Sequence, residues 1–320
     1  MAFNTYGVSE NAGKKSDFDF DAFNRDVIAQ ADLTERAVLT GVVSAIVDLG
    51  TQNRADAELE FKGNSDEEAA EITKNPNTYF KDGKNDKGEA VRLKCYPQRP
   101  IQCVVFAVDL PDVIVDKGKH FGESKPLPLR LYLGGQFYQQ GVGMVVQRPT
   151  EMKIVKGDKG WSFDKKHLCH KMAVATKLID PDGVFLPQDI DKLLGKSFQF
   201  EAQVFMKKSN GKEYYTEYLK FMGALPRGSK PSELPYEPSL VQFTTDNKDS
   251  DIKDLRAHVV NTIKRANNYE GSKIKEQIER VRGTTAASNP PASVNVPVAS
   301  KPAPQAAPVV EEGLDSDDPF

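Results

Sequence analysis

Cysteine is scarce in this chain, which argues against a small fold stapled by disulfides. The 320 residues include three cysteines, an odd number that cannot all pair within one molecule. Long hydrophobic runs are also missing, since no stretch approaches the roughly 18 apolar residues of a membrane helix. Residues 1–20 contain no apolar signal-peptide core. We therefore expect a protein of a reducing, cytoplasmic compartment with no membrane partner.

Motifs of common enzymes are missing as well. The glycine-rich stretches YLGGQF and QGVGMV lack both the Lys-Ser/Thr pair of a phosphate loop and the GxGxxG spacing of a dinucleotide site. His167, Cys169 and His170 lie close together, with Cys95 and Cys103 upstream, but no CxxC pair supports zinc binding. We predict a non-enzyme with no catalytic residue, metal or cofactor. A metal-dependent nuclease that uses scattered Asp residues stays open as an alternative.

Apolar residues make up 39% of the chain, below the share of about 45–50% that is usual for globular proteins. Part of the length is therefore expected not to fold. From residue 284 to 310 the sequence is rich in Pro, Ala, Ser and Val with almost no charge, which is typical of an extended linker. Residues 301–320 carry one Lys and five acidic residues, a net charge of −4 within a chain of net charge −3. An acidic end on a near-neutral body is typical of an interaction tail.

Hydrophobic periodicity predicts a mainly β body. The stretch 36–52 is typical of a long buried strand. The stretch 101–116 is expected to be either a strand pair or one long strand broken at Pro111, and 127–137 is expected to be a further strand broken at Gly134-Gly135. The runs 198–207 and 213–222 flank Asn-Gly and predict a β-hairpin. The predicted helical segments are Phe20 to Ala31, 65–74, 164–178 capped by Asp164, 189–195, and a basic stretch at 252–282 broken near Gly271.

Short strands that bend at glycine favour an OB-fold-like Greek-key barrel with insertions, and a more open α+β sandwich is the alternative. The predicted organisation is an N-terminal arm (1–32), an OB-like domain (33–250) with an insertion (53–90), a basic helical extension (251–282), a Pro/Ala-rich linker (283–310) and an acidic tip (311–320). The insertion and the helical extension have no assigned role, and either could support a homo-oligomer.

Alternation divides each strand into two faces. In 198–207 the core face begins at Phe198 and Phe200, and the other face includes Phe205 and Lys207. Three strands offer an open face of aromatic and basic residues, which is what single-stranded nucleic acid needs: rings to stack on bases and cations to follow the phosphates. Cross-strand pairing alone could also place Tyr on such a surface.

The segment 144–178 strengthens this interpretation because it holds eight Lys or Arg against three acidic residues. The only Trp of the chain, Trp161, lies in a Lys- and Gly-rich loop of this segment. The predicted ssDNA-binding residues are Arg130, Tyr132, Arg148, Lys153, Lys156, Lys159, Trp161, Phe205, Lys207, Tyr214, Tyr218 and Lys220.

A β body, an uncharged linker and a tip that reads Asp317-Asp318-Pro319-Phe320 resemble the single-stranded DNA-binding proteins of bacteria and bacteriophages. The length of the body resembles the longer phage replication type. The bacterial tip carries an apolar residue before Pro that is missing here. The resemblance implies an OB domain that coats single-stranded DNA during replication, recombination or repair in the host cytoplasm. It also implies a tip that binds DNA polymerase and primase or helicase through Asp315, Asp317, Asp318, Pro319 and Phe320. A protein-only adaptor of a replication complex is the remaining alternative.

Overall fold

The computed structural model describes residues 19–85, 87–157, 160–209 and 212–283. It is mainly β, with 39% strand and 25% helix, and none of its sheets is closed. The helices are α1 (Phe20–Ala31), α2 (Ser65–Lys74), α3 (Gly118–Phe121), α4 (Leu168–Ala175), a 3₁₀ helix (Pro187–Leu193), α5 (Asp249–Asp254), α6 (Ala257–Lys264) and α7 (Lys273–Arg282). The strands are β1 (Ala37–Gln52), β2 (Ala57–Phe61), β3 (Tyr79–Lys84), β4 (Ala90–Tyr96), β5 (Ile101–Asp116), β6 (Pro126–Tyr132), β7 (Gln136–Gln139), β8 (Gly143–Val146), β9 (Thr150–Glu151), β10 (Ile154–Gly157), β11 (Gly160–Phe163), β12 (Ser197–Ser209), β13 (Lys212–Gly223) and β14 (Ser239–Val241).

The main sheet is built around two long antiparallel strands, β1 and β5. Its strand order is β13-β12-β1-β5-β6, with β14 pairing on β1 and β9 pairing on β5. The prediction allowed β5 to be either a strand pair or one strand broken at Pro111, and it is one strand. Its register against β6 shifts between Leu110 and Ile114. Because a shift of this kind leaves residues outside the hydrogen-bond ladder, Pro111 is accommodated without a missing bond.

Hydrophobic clusters cover both faces of the central strands. On one face Phe106, Phe198 and Phe200 lie in a core closed by α1 and α4. On the other face Val47 and Val105 pack against α5, α6 and α7, whose apolar side chains are also buried. Two-sided burial explains why β1 and β5 read as continuous apolar runs rather than alternating ones. The helices at 251–282, to which the sequence assigned no role, therefore form a layer of this body.

The edge strands β6 and β13 approach each other without a hydrogen-bonded ladder between them. Arg256, the residue before α6, bridges this seam. Its Nη1 donates to Glu217 Oε1 of β13 over 2.7 Å, and its Nη2 donates to the carbonyl oxygen of Arg130 on β6. The Glu217 side chain is 1% exposed. A side chain from the helical layer therefore connects the two ends of the main sheet.

A separate three-stranded sheet, ordered β2-β4-β3, occupies the segment predicted as an insertion. The predicted helix at 65–74 is confirmed as α2, which begins at a reciprocal cap between Asn64 and Glu67. The sequence KDGKNDKGE (81–89) is typical of a loop, but β3 continues to Lys84 and pairs with β4, so the first half of this prediction is wrong. In the described residues, no helix is both long and apolar enough to cross a bilayer.

Candidate nucleic-acid interface

The outward side of the β12–β13 hairpin, hereafter the hairpin face, carries the aromatic and basic residues that the alternation predicts. Cross-strand pairs place Lys207 opposite Tyr214 and Phe205 opposite Thr216. Further along, Gln203 is opposite Tyr218 and Glu201 is opposite Lys220. The inward side is the main core, where Phe198, Phe200, Ala202 and Val204 are fully buried. The hairpin face therefore lies on a strand pair whose other side is fixed by packing.

Exposure along the hairpin face is uneven. Tyr214 is 45% exposed, and Lys207 and Lys220 are also exposed. Phe205 and Tyr218 are half-buried, although alternation alone predicted Phe205 to be open. Tyr214 therefore offers the most accessible ring for a stacked base.

Arg36, which precedes β1, lies against Tyr218 and was missed from the sequence. Its guanidinium carbon is 4.4 Å from the centre of the tyrosine ring, and Nη1 is 3.8 Å from Glu201 Oε2. The Tyr218 hydroxyl donates to the same carboxylate over 2.8 Å. Burial, followed by this carboxylate, raises the pKa of Tyr218. A base at this point would meet a guanidinium plane on a tyrosine, which is also a stacking surface. No local pattern could indicate this contact, because it depends on the pairing of β1 with β12, which is distant in sequence.

Trp161 lies on a second hairpin, β10–β11, opposite Lys156. Its side chain is 58% exposed, so it is not a core residue. The hairpin is anchored by Phe163, which is buried in the main core and stacks on His167 with ring centres 4.3 Å apart. Arg148, Lys153 and Lys156 are all exposed, as a phosphate contact requires, and Lys159 lies outside the described residues.

Two predicted contacts on β6 need correction. Tyr132 is 2% exposed, because His258 of α6 packs edge-on against it with ring centres 4.8 Å apart. Arg130 donates from Nε and Nη2 to the two carboxylate oxygens of buried Asp109, at 2.8 and 3.2 Å. Alternation correctly placed both side chains away from the main core, but the helical layer covers that side. In this structure Tyr132 is inaccessible to a base, and Arg130 is held in an internal ion pair.

Sequence reasoning also missed an exposed aromatic pair on β7 of the β7–β8 hairpin. Phe137 is 40% exposed and Tyr138 is 65% exposed. The hairpin is tied to α6, since Asn261 Nδ2 donates to the Met144 carbonyl oxygen over 2.9 Å. The sequence does contain a signal for this exposed pair: two adjacent aromatic residues lie in a short segment between the glycine-rich bends at 134–135 and 141–143.

The histidines and cysteines set aside as a zinc site have structural roles. His167 caps α4 by accepting from the Cys169 backbone N–H at Nδ1, and its Nε2 lies 2.8 Å from the Glu151 carbonyl oxygen. The predicted cap Asp164 instead accepts from the Lys166 backbone N–H before the helix begins. Burial raises the pKa of the Cys169 thiol to about 12, which makes a thiolate nucleophile unfavourable there. Within the residues that the structure describes, no cluster of three or more His, Cys, Asp or Glu could hold a metal ion.

The predicted partner-binding residues Asp315, Asp317, Asp318, Pro319 and Phe320, and the linker before them, lie outside the described residues. No protein-family model, curated protein or solved structure matches this chain. Any functional inference therefore depends on the residues of this chain alone.

Proposed function

We propose that the protein is a non-enzymatic single-stranded DNA-binding protein that coats strands during DNA replication or recombination. The observation that carries the proposal is the hairpin face. Its exposed Tyr214 pairs with Lys207 across the strands, and further along it Tyr218 lies beneath the guanidinium of Arg36. Stacking serves every base, and cations serve every phosphate, so a surface of this composition binds without strong sequence preference.

The finer fold proposal is an open barrel of the OB type. It is supported by the approach of β6 to β13 and by the bridging Arg256. The hairpins β7–β8 and β10–β11, with exposed Tyr138 and Trp161, would extend the binding surface as the loops of such barrels do.

Residues 311–320 are proposed to recruit replication enzymes, among them DNA polymerase and primase or helicase, in the cytoplasm of a bacterial host. Support comes from sequence alone: an aromatic residue beside several carboxylates suits an apolar pocket with a basic rim. Removing Phe320 should leave affinity for oligo-dT unchanged or raised and abolish co-purification with such an enzyme. Co-purification that persists without Phe320 would eliminate this role.

Fluorescence anisotropy with labelled oligo-dT and a matched duplex, titrated with salt, tests the DNA-binding proposal. We expect tight, salt-sensitive binding to oligo-dT, weaker binding to duplex and no cleavage. Failure to bind oligo-dT would leave the protein-only adaptor, and Mg²⁺-dependent degradation would favour the nuclease.

Matched variants locate the site. Tyr214→Ala should weaken oligo-dT binding by about 5- to 140-fold, the equivalent of about 1–3 kcal/mol per stacked base. Tyr79→Ala is the control, because Tyr79 is 42% exposed against 45% for Tyr214 but lies on β3 of the smaller sheet. Lys207→Gln should lower the slope of log affinity against log salt by about 0.7, whereas Lys62→Gln should not change it. Equal effects of the test and control variants would exclude the hairpin face as the binding site.

A further inference from the structure

A cavity of about 660 Å³ lies at one end of the hairpin face, between β13 and α4. Lys220, at the end of the face, and Met222, two residues further along β13, form one side of it. Lys171, Val174 and Ala175 of α4 form the other side. A DNA strand that follows the hairpin face towards Lys220 therefore arrives at this cavity.

The cavity combines apolar walls with a cationic rim. Val174, Ala175, Pro181 and Met222 supply apolar surface, and the cations are Lys165, Lys171 and Lys220. Lys165 pairs on the rim with Asp182, whose side chain is 91% exposed. Lys171 is half-buried and forms no ion pair with a carboxylate of the described residues. Within the described part of the chain, Lys171 therefore has no internal carboxylate to compete with an anionic occupant of the cavity.

Packing holds the walls of the cavity in place before any ligand arrives. On α4, Cys169, Met172 and Ala173 are fully buried in the main core, which fixes the helix. On the rim, the Nε2 atom of His170 lies 3.2 Å from the Gly183 carbonyl oxygen, which ties the loop that carries Pro181 to the same helix. The volume falls within the range of about 300–1,000 Å³ that is typical of small-molecule sites.

We propose that this cavity takes one nucleotide of the bound strand, removed from the base stack. The base lies between Met222 and the Val174–Ala175 surface of α4, and its phosphate is held by Lys171 and Lys220. Apolar walls accept the flat face of any base, and two ammonium groups neutralise the phosphate that follows it. The inference rests on the proposed function. It adds one position on the protein at which the coated DNA strand is held in register.

Oligo-dT carrying a single 2-aminopurine at successive positions tests the proposal, since the fluorescence of this base rises when it leaves the stack. In the shortest oligo-dT that keeps full affinity, on which only one binding register is available, we expect one position to brighten several-fold in the complex with the full chain. Val174→Trp, which fills the cavity, and Lys171→Glu, which reverses its charge, should each abolish the response and weaken binding by about 5- to 50-fold. Lys166→Glu is the matched control, because Lys166 is exposed beside α4 but does not line the cavity.

The outcomes separate this inference from the proposed function. Binding of oligo-dT with equal brightening at all positions, or a bright position that persists in the Val174→Trp and Lys171→Glu proteins, would overturn the nucleotide pocket and leave DNA binding intact. Lack of oligo-dT binding by the parent protein would overturn both. Circular dichroism identifies a variant that fails to fold, and Met222→Ala, which removes one wall without adding bulk, then tests the same wall.

Discussion

Replacing Arg256 by Met should destabilise the protein strongly, because it removes the bridge between β6 and β13. The guanidinium lies 2.7 Å from Glu217 Oε1, and the Glu217 side chain is 1% exposed. The second carboxylate oxygen, Oε2, has no hydrogen-bond partner in the described structure. Without Arg256, a buried carboxylate loses the ion pair that neutralises it. Breaking a buried pair from one side typically costs about 3–5 kcal/mol.

Urea unfolding followed by circular dichroism measures this cost. We expect the midpoint to fall with little change in the dependence on urea, since the exposed area on unfolding is similar. Arg265→Met is the control, because Arg265 is exposed at the end of α6 and its loss should change stability by less than about 0.5 kcal/mol. In the Glu217→Leu background no buried carboxylate remains to be orphaned, so Arg256→Met should cost much less there. A loss below about 1 kcal/mol, or the same loss in both backgrounds, would refute the role of the ion pair.

Two further predictions concern α6 and the β7–β8 hairpin. Burial lowers the pKa of His258 to about 3. Between pH 6.5 and pH 3 the unfolded chain therefore binds more protons than the folded chain, so the free energy of unfolding decreases as the pH is lowered, by about 2 kcal/mol at pH 5. His258→Phe keeps a ring against Tyr132 and should remove this loss, so unfolding free energies that still fall equally between pH 8 and 5 would contradict the assignment. Gly134→Ala should cost more than about 1 kcal/mol in thermal unfolding, because its φ is +90° and a Cβ would lie 2.0 Å from the Arg148 carbonyl oxygen. Gly141→Ala is the control for backbone strain alone, because Gly141 has φ +79° but open space around an added Cβ. An equal loss of stability in the two variants would exclude the clash as the cause.

Local patterns predicted the elements whose information lies in their own residues. The helix Phe20–Ala31 is confirmed at both ends, with Asp19 accepting from the Ala22 backbone N–H as its cap. The long strand β1 and the β12–β13 hairpin are confirmed as well. In each case periodicity and a capping or turn residue act over a few positions, so a single sequence is sufficient.

Predictions that depended on the tertiary environment were less accurate. Alternation placed Tyr132 away from the main core, but it could not indicate that α6 covers it. The cap of α4 is His167 rather than Asp164, because His167 is also held by the Glu151 carbonyl oxygen from a distant strand. One signal was available in the sequence: the continuous apolar runs within β1 and β5 indicate strands that are buried on both faces, which requires a second covering layer.

Arg256 is also synthesised after both of the strand edges that it bridges. All strands of the main sheet up to β13 leave the ribosome before α6 does. A nascent chain whose strands had paired before Arg256 was available would have two unjoined strand edges, β6 and β13, and no ion-pair partner for Glu217. Unpaired edges are where nascent chains join neighbouring molecules. The helical layer would therefore complete the seam last, when Arg256 reaches Glu217 and the Arg130 carbonyl oxygen and the two edges are no longer open to a neighbouring molecule.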